Sequence, residues 1–402
     1  MRGPGRRFLV VAASIPLQSS GTSVVIRRLL ENFAAEEVVL IGGTPNRDMQ
    51  LPSRPFQYPV IRIPSLPGGI KGERYWRLVA AIPGVLTGLR AVRRYRPEAL
   101  LVVFPDESSL LTGYWLHRLT RLPLLAYFSD LYLEDRREGW QGVLARWLQP
   151  RVFAAASRII AGNEGMESFY RSRYDFEPVR LPTCVNVPIP TFSPPPPPRR
   201  PLVVGYSGNI NATRLSSMRA LVRAIGSDPS YEVRYFTPQS RPFLEEQGLW
   251  TGNARASFVP DEAQLVVELA ACDVLFLPLT FDVDEASFDQ LSTCFGTKSY
   301  EYFLSQRPVL LHCPGDFFMA RFFRQWECGL VVEDPSPKAL LAALRRLQGD
   351  TALRERLVQN ALRAAAHFDG RRIAATLRAT LEEVTRNPGE RGPRTLLGRA
   401  AR

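Results

Sequence analysis

Short, unbroken apolar runs separated by stretches of helical periodicity set the rhythm of this chain. Residues 8–13 read Phe-Leu-Val-Val-Ala-Ala, with no polar position, as suits a strand buried on both faces. A polar loop at 18–23 follows. Residues 24–33 then carry apolar positions at the spacing of one helix face. A second run at 38–41 ends in Gly42-Gly43. A long arginine-rich helical stretch leads to a third at 100–104, and runs at 124–128 and 159–160 complete the first half. The second half repeats the design. A strand at 202–206 meets a turn at Ser207-Gly208-Asn209 and a helix at 217–225. Further strands fall at 232–236, 274–277 and 309–311, and helices at 340–347, 353–364 and 371–384. Strands alternating with helices predict a parallel, doubly wound sheet in each half, an α/β chain of two Rossmann-like domains.

The natural cut between the halves is Ser193-Pro-Pro-Pro-Pro-Pro-Arg-Arg-Pro201. Proline fixes φ and lacks a backbone donor, so this run is neither helix interior nor central strand and reads as an extended, stiff spacer. The expected organisation is a domain at 1–190, a proline-rich linker at 191–201 and a second domain at 202–370. A last helix at 371–385 and a disordered basic tail at 386–402 complete it.

Composition narrows the partners. At 402 residues the chain is long enough for two cored domains, and its net charge of +12 favours acidic partners: a nucleotide, a phosphorylated lipid, a membrane surface or nucleic acid. Lys71, Lys298 and Lys338 are its only lysines, so nearly all the positive charge is arginine. Five widely spaced cysteines without a C-x-x-C pair argue against a disulfide framework or zinc site. No metal spacing occurs among His117, His312 and His367, and His312 reads as a loop residue after a strand. No Gly-x-Ser-x-Gly elbow, Walker loop or Gly-x-Gly-x-x-Gly is present, against a serine hydrolase, an NTPase and a dehydrogenase. No apolar segment reaches membrane-spanning length and no signal peptide is evident, so the expected location is cytoplasmic. The basic, aromatic segments 74–78 and 89–96 fit either contact with anionic headgroups at a membrane periphery or a solvated arginine face on a packed helix. Their aromatics are not interleaved on one strand, which disfavours nucleic acid.

The most informative stretch is Thr293-Cys-Phe-Gly-Thr-Lys-Ser-Tyr-Glu-Tyr-Phe303. Gly296 and Thr297 sit where a loop becomes a helix, with Thr297 the expected N-cap. A helix start favours phosphate, and Lys298 in the first turn is unfavourable there unless an anion lies beside it. Glu301, one turn along, can accept hydrogen bonds from a ribose diol. In Gly205-Tyr-Ser-Gly-Asn-Ile-Asn-Ala-Thr-Arg214, Gly208 and Asn209 form a turn that lets a diphosphate approach the backbone.

This stretch resembles the large retaining GT-B glycosyltransferase family called group 1, which carries Glu-x-Phe-Gly, four residues, a second Glu, then a Pro-Val segment. Phe295, Gly296, Glu301 and Pro308-Val309 match it. So do Ala271-Cys-Asp-Val-Leu-Phe-Leu-Pro278 and Cys328-Gly-Leu-Val-Val-Glu-Asp334. The resemblance implies that Glu301 holds the donor ribose and that the Gly296–Thr297 backbone faces the diphosphate of a nucleotide sugar. It implies no metal cofactor, since Arg214 and Lys298 would clamp the diphosphate. It also implies that Gly21 and Thr22 face phosphate or acceptor across a cleft, and that the last helix is placed to cross back to the first domain. Asp130, just past the strand at 124–128, is positioned to meet the hydroxyl acceptor or the reacting sugar, or else to cap the segment after it. Two departures stand out. The family's first glutamate is Thr293 here, with Asp282, Asp284, Glu285 and Asp289 nearby as substitutes or as a solvated acidic loop. The family's arginine after the turn glycine is Asn209. These keep a catalytically silent partner of envelope-polysaccharide assembly open beside the transferase, as the shared two-domain plan keeps a nucleotide-sugar epimerase.

Overall fold

The structure, a computed structural model, describes residues 6–15, 21–43, 56–63, 76–135 and 138–387. Ser19 and Ser20 of the polar loop, Arg74 and Tyr75, and the tail from 388 lie outside these. The chain divides into two compact units, residues 1–186 with 369–402, and residues 187–368.

In the first unit the elements run β1 (Phe8–Ser14), α1 (Gly21–Leu30), β2 (Val38–Gly43), β3 (Val60–Ile63), α2 (Trp76–Tyr95), β4 (Ala99–Phe104), α3 (Glu107–Thr120), β5 (Leu124–Phe128), α4 (Gly139–Ala155), β6 (Arg158–Ala161), α5 (Glu164–Arg173) and β7 (Val179–Arg180). They form a seven-stranded sheet in the order β3-β2-β1-β4-β5-β6-β7, and every pairing is parallel. β4 and β5 are buried at every position, as unbroken apolar runs between two helical layers must be. Helices α2 to α5 cover one face through Ala91, Leu116, Leu148 and Tyr170.

The second unit runs β8 (Leu202–Ser207), α6 (Ala212–Ile225), β9 (Tyr231–Phe236), α7 (Arg241–Glu246), β10 (Ala254–Ser257), α8 (Glu262–Ala270), β11 (Val274–Pro278), α9 (Glu285–Thr293), α10 (Ser299–Leu304), β12 (Val309–His312), α11 (Phe318–Trp326), β13 (Leu330–Val332), α12 (Pro337–Gly349) and α13 (Thr351–Ala365). Its parallel sheet has the order β10-β9-β8-β11-β12-β13, the doubly wound plan. Each unit is thus a Rossmann-like domain, a parallel sheet interleaved with helices.

The final helix α14 (Gly370–Arg386) belongs to the first unit. Ile373, Leu377, Leu381 and Val384 pack beside α1 on the sheet face that α2 to α5 leave open. Arg378 donates to both oxygens of Glu37 at 3.0 Å and to the Asn32 carbonyl at 2.7 Å, and stacks on Phe33. Burial alone would raise the pKa of Glu37, but the hydrogen bonds from Arg378 and from the Ala34 N–H outweigh it and hold the carboxyl below its usual value. Where the chain leaves and re-enters this unit, Val185 pairs with Asp369 and the Gly370 N–H donates to the Val185 carbonyl at 3.0 Å.

The proline run is not a free spacer. The Ser193 N–H donates to Gln306 at 2.7 Å, and Arg199 reaches Asp273 and the Ala271 carbonyl, all within the second unit. Asp273 also accepts from the Val203 N–H at 2.8 Å, so one buried carboxylate joins the run to the start of β8.

Candidate functional site

In the second sheet the strands run outward in both directions from the β8–β11 pair. Ligands of such sheets bind beyond the carboxyl ends of the strands at this switch point. Gly208, Arg214, Lys298 and Glu301, singled out from the sequence, come together near there. β8 ends at Ser207, and Gly208 turns with φ +101°, a conformation that glycine alone adopts without strain. Its missing side chain has a second use. A Cβ built on Gly208 would lie 2.0 Å from Cε and 2.2 Å from Nζ of Lys298, so the lysine occupies the space a side chain would fill.

Lys298 Nζ donates to the Tyr206 hydroxyl at 3.3 Å, and that hydroxyl donates to the Asn209 carbonyl at 2.7 Å. The lysine, the strand end and the turn are thereby joined. Arg214, in the first turn of α6, donates to Asn211 at 2.8 Å and to the Thr213 hydroxyl at 2.9 Å. Burial depresses the Lys298 pKa well below its ordinary value, the nearby Arg214 guanidinium depresses it further, and Glu301 only partly opposes them. An anion bound here would oppose both effects and favour the protonated lysine.

α10 begins later than its sequence predicts. The Ser299 N–H donates to the Gly296 carbonyl at 3.0 Å, so Thr297 lies inside a tight turn and Lys298, not Thr297, is the N-cap residue, without a side-chain capping bond. Gly296 and Thr297 thus precede the helix, and Glu301 occupies its first turn. Tyr302, which sequence reasoning missed, aims the helix. Its hydroxyl accepts from the Ser207 N–H at 2.8 Å and donates to the Phe276 carbonyl at 3.2 Å, bolting α10 across the ends of β8 and β11. The only signal for it was a polar-tipped aromatic four residues after Lys298.

Thr293 closes α9, and its buried hydroxyl donates back to the Asp289 carbonyl at 2.7 Å. It is satisfied within its own helix. Asp284 is the N-cap of α9, accepting from the Ser287 N–H at 2.8 Å.

His312 is the last residue of β12, not a loop residue after it, and is fully buried. Nδ1 pairs with the Ser217 hydroxyl at 2.7 Å, Nε2 with the Asp334 carbonyl at 2.9 Å, and the ring packs 4.6 Å from that of Phe281. Burial lowers its pKa more than Asp334 raises it.

The remaining predicted residues stand on the first unit. Gly21 and Thr22 open α1, immediately beyond the loop that follows β1. Asp130 follows the carboxyl end of β5, where the Ser129 hydroxyl donates to the Phe104 carbonyl at 2.8 Å and lies 3.4 Å from the Asp130 carboxylate. Among the described residues no helix begins between Asp130 and Gly139. Among the described residues no group of three His, Cys, Asp or Glu side chains is arranged to hold a metal ion. None of the five cysteines is in a disulfide, and burial pushes the thiols of Cys184 and Cys272 up to about 12.

Comparison with known proteins agrees with this fold. Residues 20–183 match the family described as glycosyl transferase 4-like domain. A search by sequence finds no curated protein that matches the chain. Solved structures share the fold at low identity. Sucrose-phosphate synthase from Thermosynechococcus elongatus superposes with a TM-score of 0.69 at 16% identity, over 94% of this chain and 99% of that one. The Anabaena protein HepE in complex with UDP-glucose gives 0.67 at 14%, over 94% and 99%. The α,α-trehalose 6-phosphate synthase of Burkholderia multivorans gives 0.64 at 12%, over 95% and 99%.

Proposed function

We propose that this chain, whose residues 20–183 match the glycosyl transferase 4-like domain, is a GT-B glycosyltransferase that transfers a hexose-type sugar from a nucleoside-diphosphate donor to a hydroxyl acceptor. The observation that carries this is the seating of Lys298 in the space over Gly208, beside Arg214, at the switch point of the second sheet. A buried ammonium beside a half-buried guanidinium at that place suits an anion, and the diphosphate of a nucleotide sugar has the size and charge for it.

In this reading Gly208, Asn209, Gly296 and Thr297 present backbone to the diphosphate, and Glu301 holds the donor ribose. As the bond from the anomeric carbon to the diphosphate oxygen breaks, negative charge grows on the leaving group. Lys298 and Arg214 stabilise it, so the reaction needs no metal. Asp130 receives the acceptor or the reacting sugar, with Gly21 and Thr22 beside the acceptor or phosphate. Retention of configuration follows from the family resemblance. The acceptor is an oligosaccharide or lipid-linked sugar of envelope or exopolysaccharide synthesis, met at the cytoplasmic face of a membrane.

One observation favours a second reading. Thr293, where the family has its first glutamate, donates its hydroxyl proton within its own helix and offers a sugar no carboxylate. A GT-B protein that binds a nucleotide sugar without turning it over fits that feature.

The test is a thermal-shift panel of nucleotide sugars and free nucleoside diphosphates without added metal. Binding to the native state raises the melting point. A shift with one diphosphate series, lost in Glu301→Ala, is expected. No shift with any member at millimolar concentration sinks the proposal. A shift with neither transfer nor donor hydrolysis selects the silent partner.

A further inference from the structure

The first unit presents a surface whose chemistry the sugar-transfer site does not use. Helices α2, α3 and α4 lie side by side on one face of its sheet. α2 and α3 approach closely through two glycines one turn apart. A Cβ on Gly84 would lie 2.5 Å from the Thr112 hydroxyl, and one on Gly88 2.4 Å from Leu116. Residues on the outer sides of these helices are therefore neighbours. Among them Ile82, Leu86, Trp115, Leu119, Val143 and Trp147 are 40–62% exposed. Isolated apolar side chains on a surface are ordinary, but two tryptophans and four aliphatics on three adjacent helices are not.

The charge on the same helices is one-sided. α2 and α4 contain no aspartate or glutamate, and the single acidic residue of α3, Glu107, is fully buried. Arg90, Arg93, Arg94, Arg118, Arg146 and Arg151 are exposed on them. α14 of the same unit carries both signs, with Glu382 and Glu383 among its arginines, as a surface meant only for water does. Exposed aliphatics, tryptophan and arginine without carboxylates are the composition of a helix face that lies in the interface of an anionic bilayer. The apolar groups enter the acyl boundary, indole rings sit at headgroup depth and arginines pair with lipid phosphates.

We propose that the outer face of α2, α3 and α4 docks this protein on an anionic lipid surface. The proposal deepens the membrane-facing acceptor of the previous subsection and does not depend on sugar transfer.

The experiment uses the full chain and vesicles of phosphatidylcholine, alone or with about one third phosphatidylglycerol. Co-sedimentation with the anionic vesicles is expected, with tryptophan emission moving to shorter wavelength. Ile82→Ser with Leu86→Ser, and separately Trp115→Ser with Trp147→Ser, should each weaken partitioning roughly tenfold or more. Both should keep the wild-type melting point and the diphosphate-induced shift, which separates failure here from failure of the donor site. No partitioning of the wild type overturns the proposal. So does partitioning that salt abolishes but the apolar variants leave intact, which is adsorption of a basic chain. A wild-type dimer that the same variants dissociate, without vesicle binding, would make the face a contact between copies and also overturn it.

Discussion

Alanine at position 208 tests the candidate site at the point where backbone and chemistry meet. The new Cβ would stand 2.0 Å from Lys298 Cε and 2.2 Å from Nζ, whereas carbon atoms in contact sit roughly 3.5–4 Å apart. The backbone cannot yield without leaving the strand end, because the Gly208 N–H is held by the Phe236 carbonyl at 2.8 Å. The flexible end of Lys298 yields instead and leaves the Tyr206 hydroxyl. Two separable costs follow. Holding a non-glycine residue at φ +101° strains the fold by about 1–3 kcal/mol, which lowers the melting point of a unit this size by roughly 2–12 °C. Displacing a charged donor from the diphosphate removes about 1.5–3 kcal/mol of binding, or roughly 10- to 100-fold in affinity. Calorimetric titration with the free nucleoside diphosphate, below the melting transition, reads the second cost alone. Lys298→Met should lose a similar factor. The double variant should lose little more than either single one, because both act through one ammonium. A folded Gly208→Ala protein with wild-type diphosphate affinity would refute the reasoning, as would a double variant whose loss is the sum of the two.

Four further outcomes are expected. Lys298 has its folded pKa below its unfolded value, so the unliganded protein gains stability as pH rises from that depressed value toward 10.5. A bound diphosphate should restore the proton, and a binding enthalpy that does not vary with buffer ionisation would contradict this. Thr293→Ala should leave donor binding and any transfer unchanged, since the hydroxyl bonds only within α9; a tenfold loss of either would place Thr293 in the site. His312 also has its folded pKa below the ordinary 6.5, so its contribution is complete above that value and is lost as pH falls toward the folded pKa. Acid melting curves of His312→Gln should flatten in that window, and an unchanged slope would count against a buried neutral imidazole. Arg378→Ala leaves the buried Glu37 with only the Ala34 N–H and should destabilise the first unit by about 1–3 kcal/mol in urea denaturation, a partly exposed arginine keeping the figure below that of a fully buried pair. A loss within error would mean that the apolar side of α14 alone holds it in place.

Much of the architecture is written in local pattern. The runs at 8–13, 100–104 and 124–128 contain no polar position, so only strands buried on both faces accommodate them, and the strands observed there differ by a residue at most. Shorter elements were not legible. Val179–Arg180 and Leu330–Val332 are too brief for periodicity to register. Within the site, Gly208 was recognisable as a turn, and Lys298 and Glu301 share a helical turn, because each is a matter of a few neighbouring residues. That Lys298 fills the space over a glycine ninety positions earlier is not contained in either segment. It depends on strand order, which brings β8 beside β11, and on Tyr302 bridging their ends. The capping position is Lys298 and not Thr297 because the Ser299 N–H closes a tight turn onto the Gly296 carbonyl before the helix begins. The proline run likewise announced an extended path, but only Gln306 and Asp273 decided that the path lies against the second unit. Backbone preference and apolar spacing act over a few residues and can be read along the chain. Packing, charge pairing and the filling of a glycine's empty side-chain space join residues distant in sequence, and exist only once the sheet has closed.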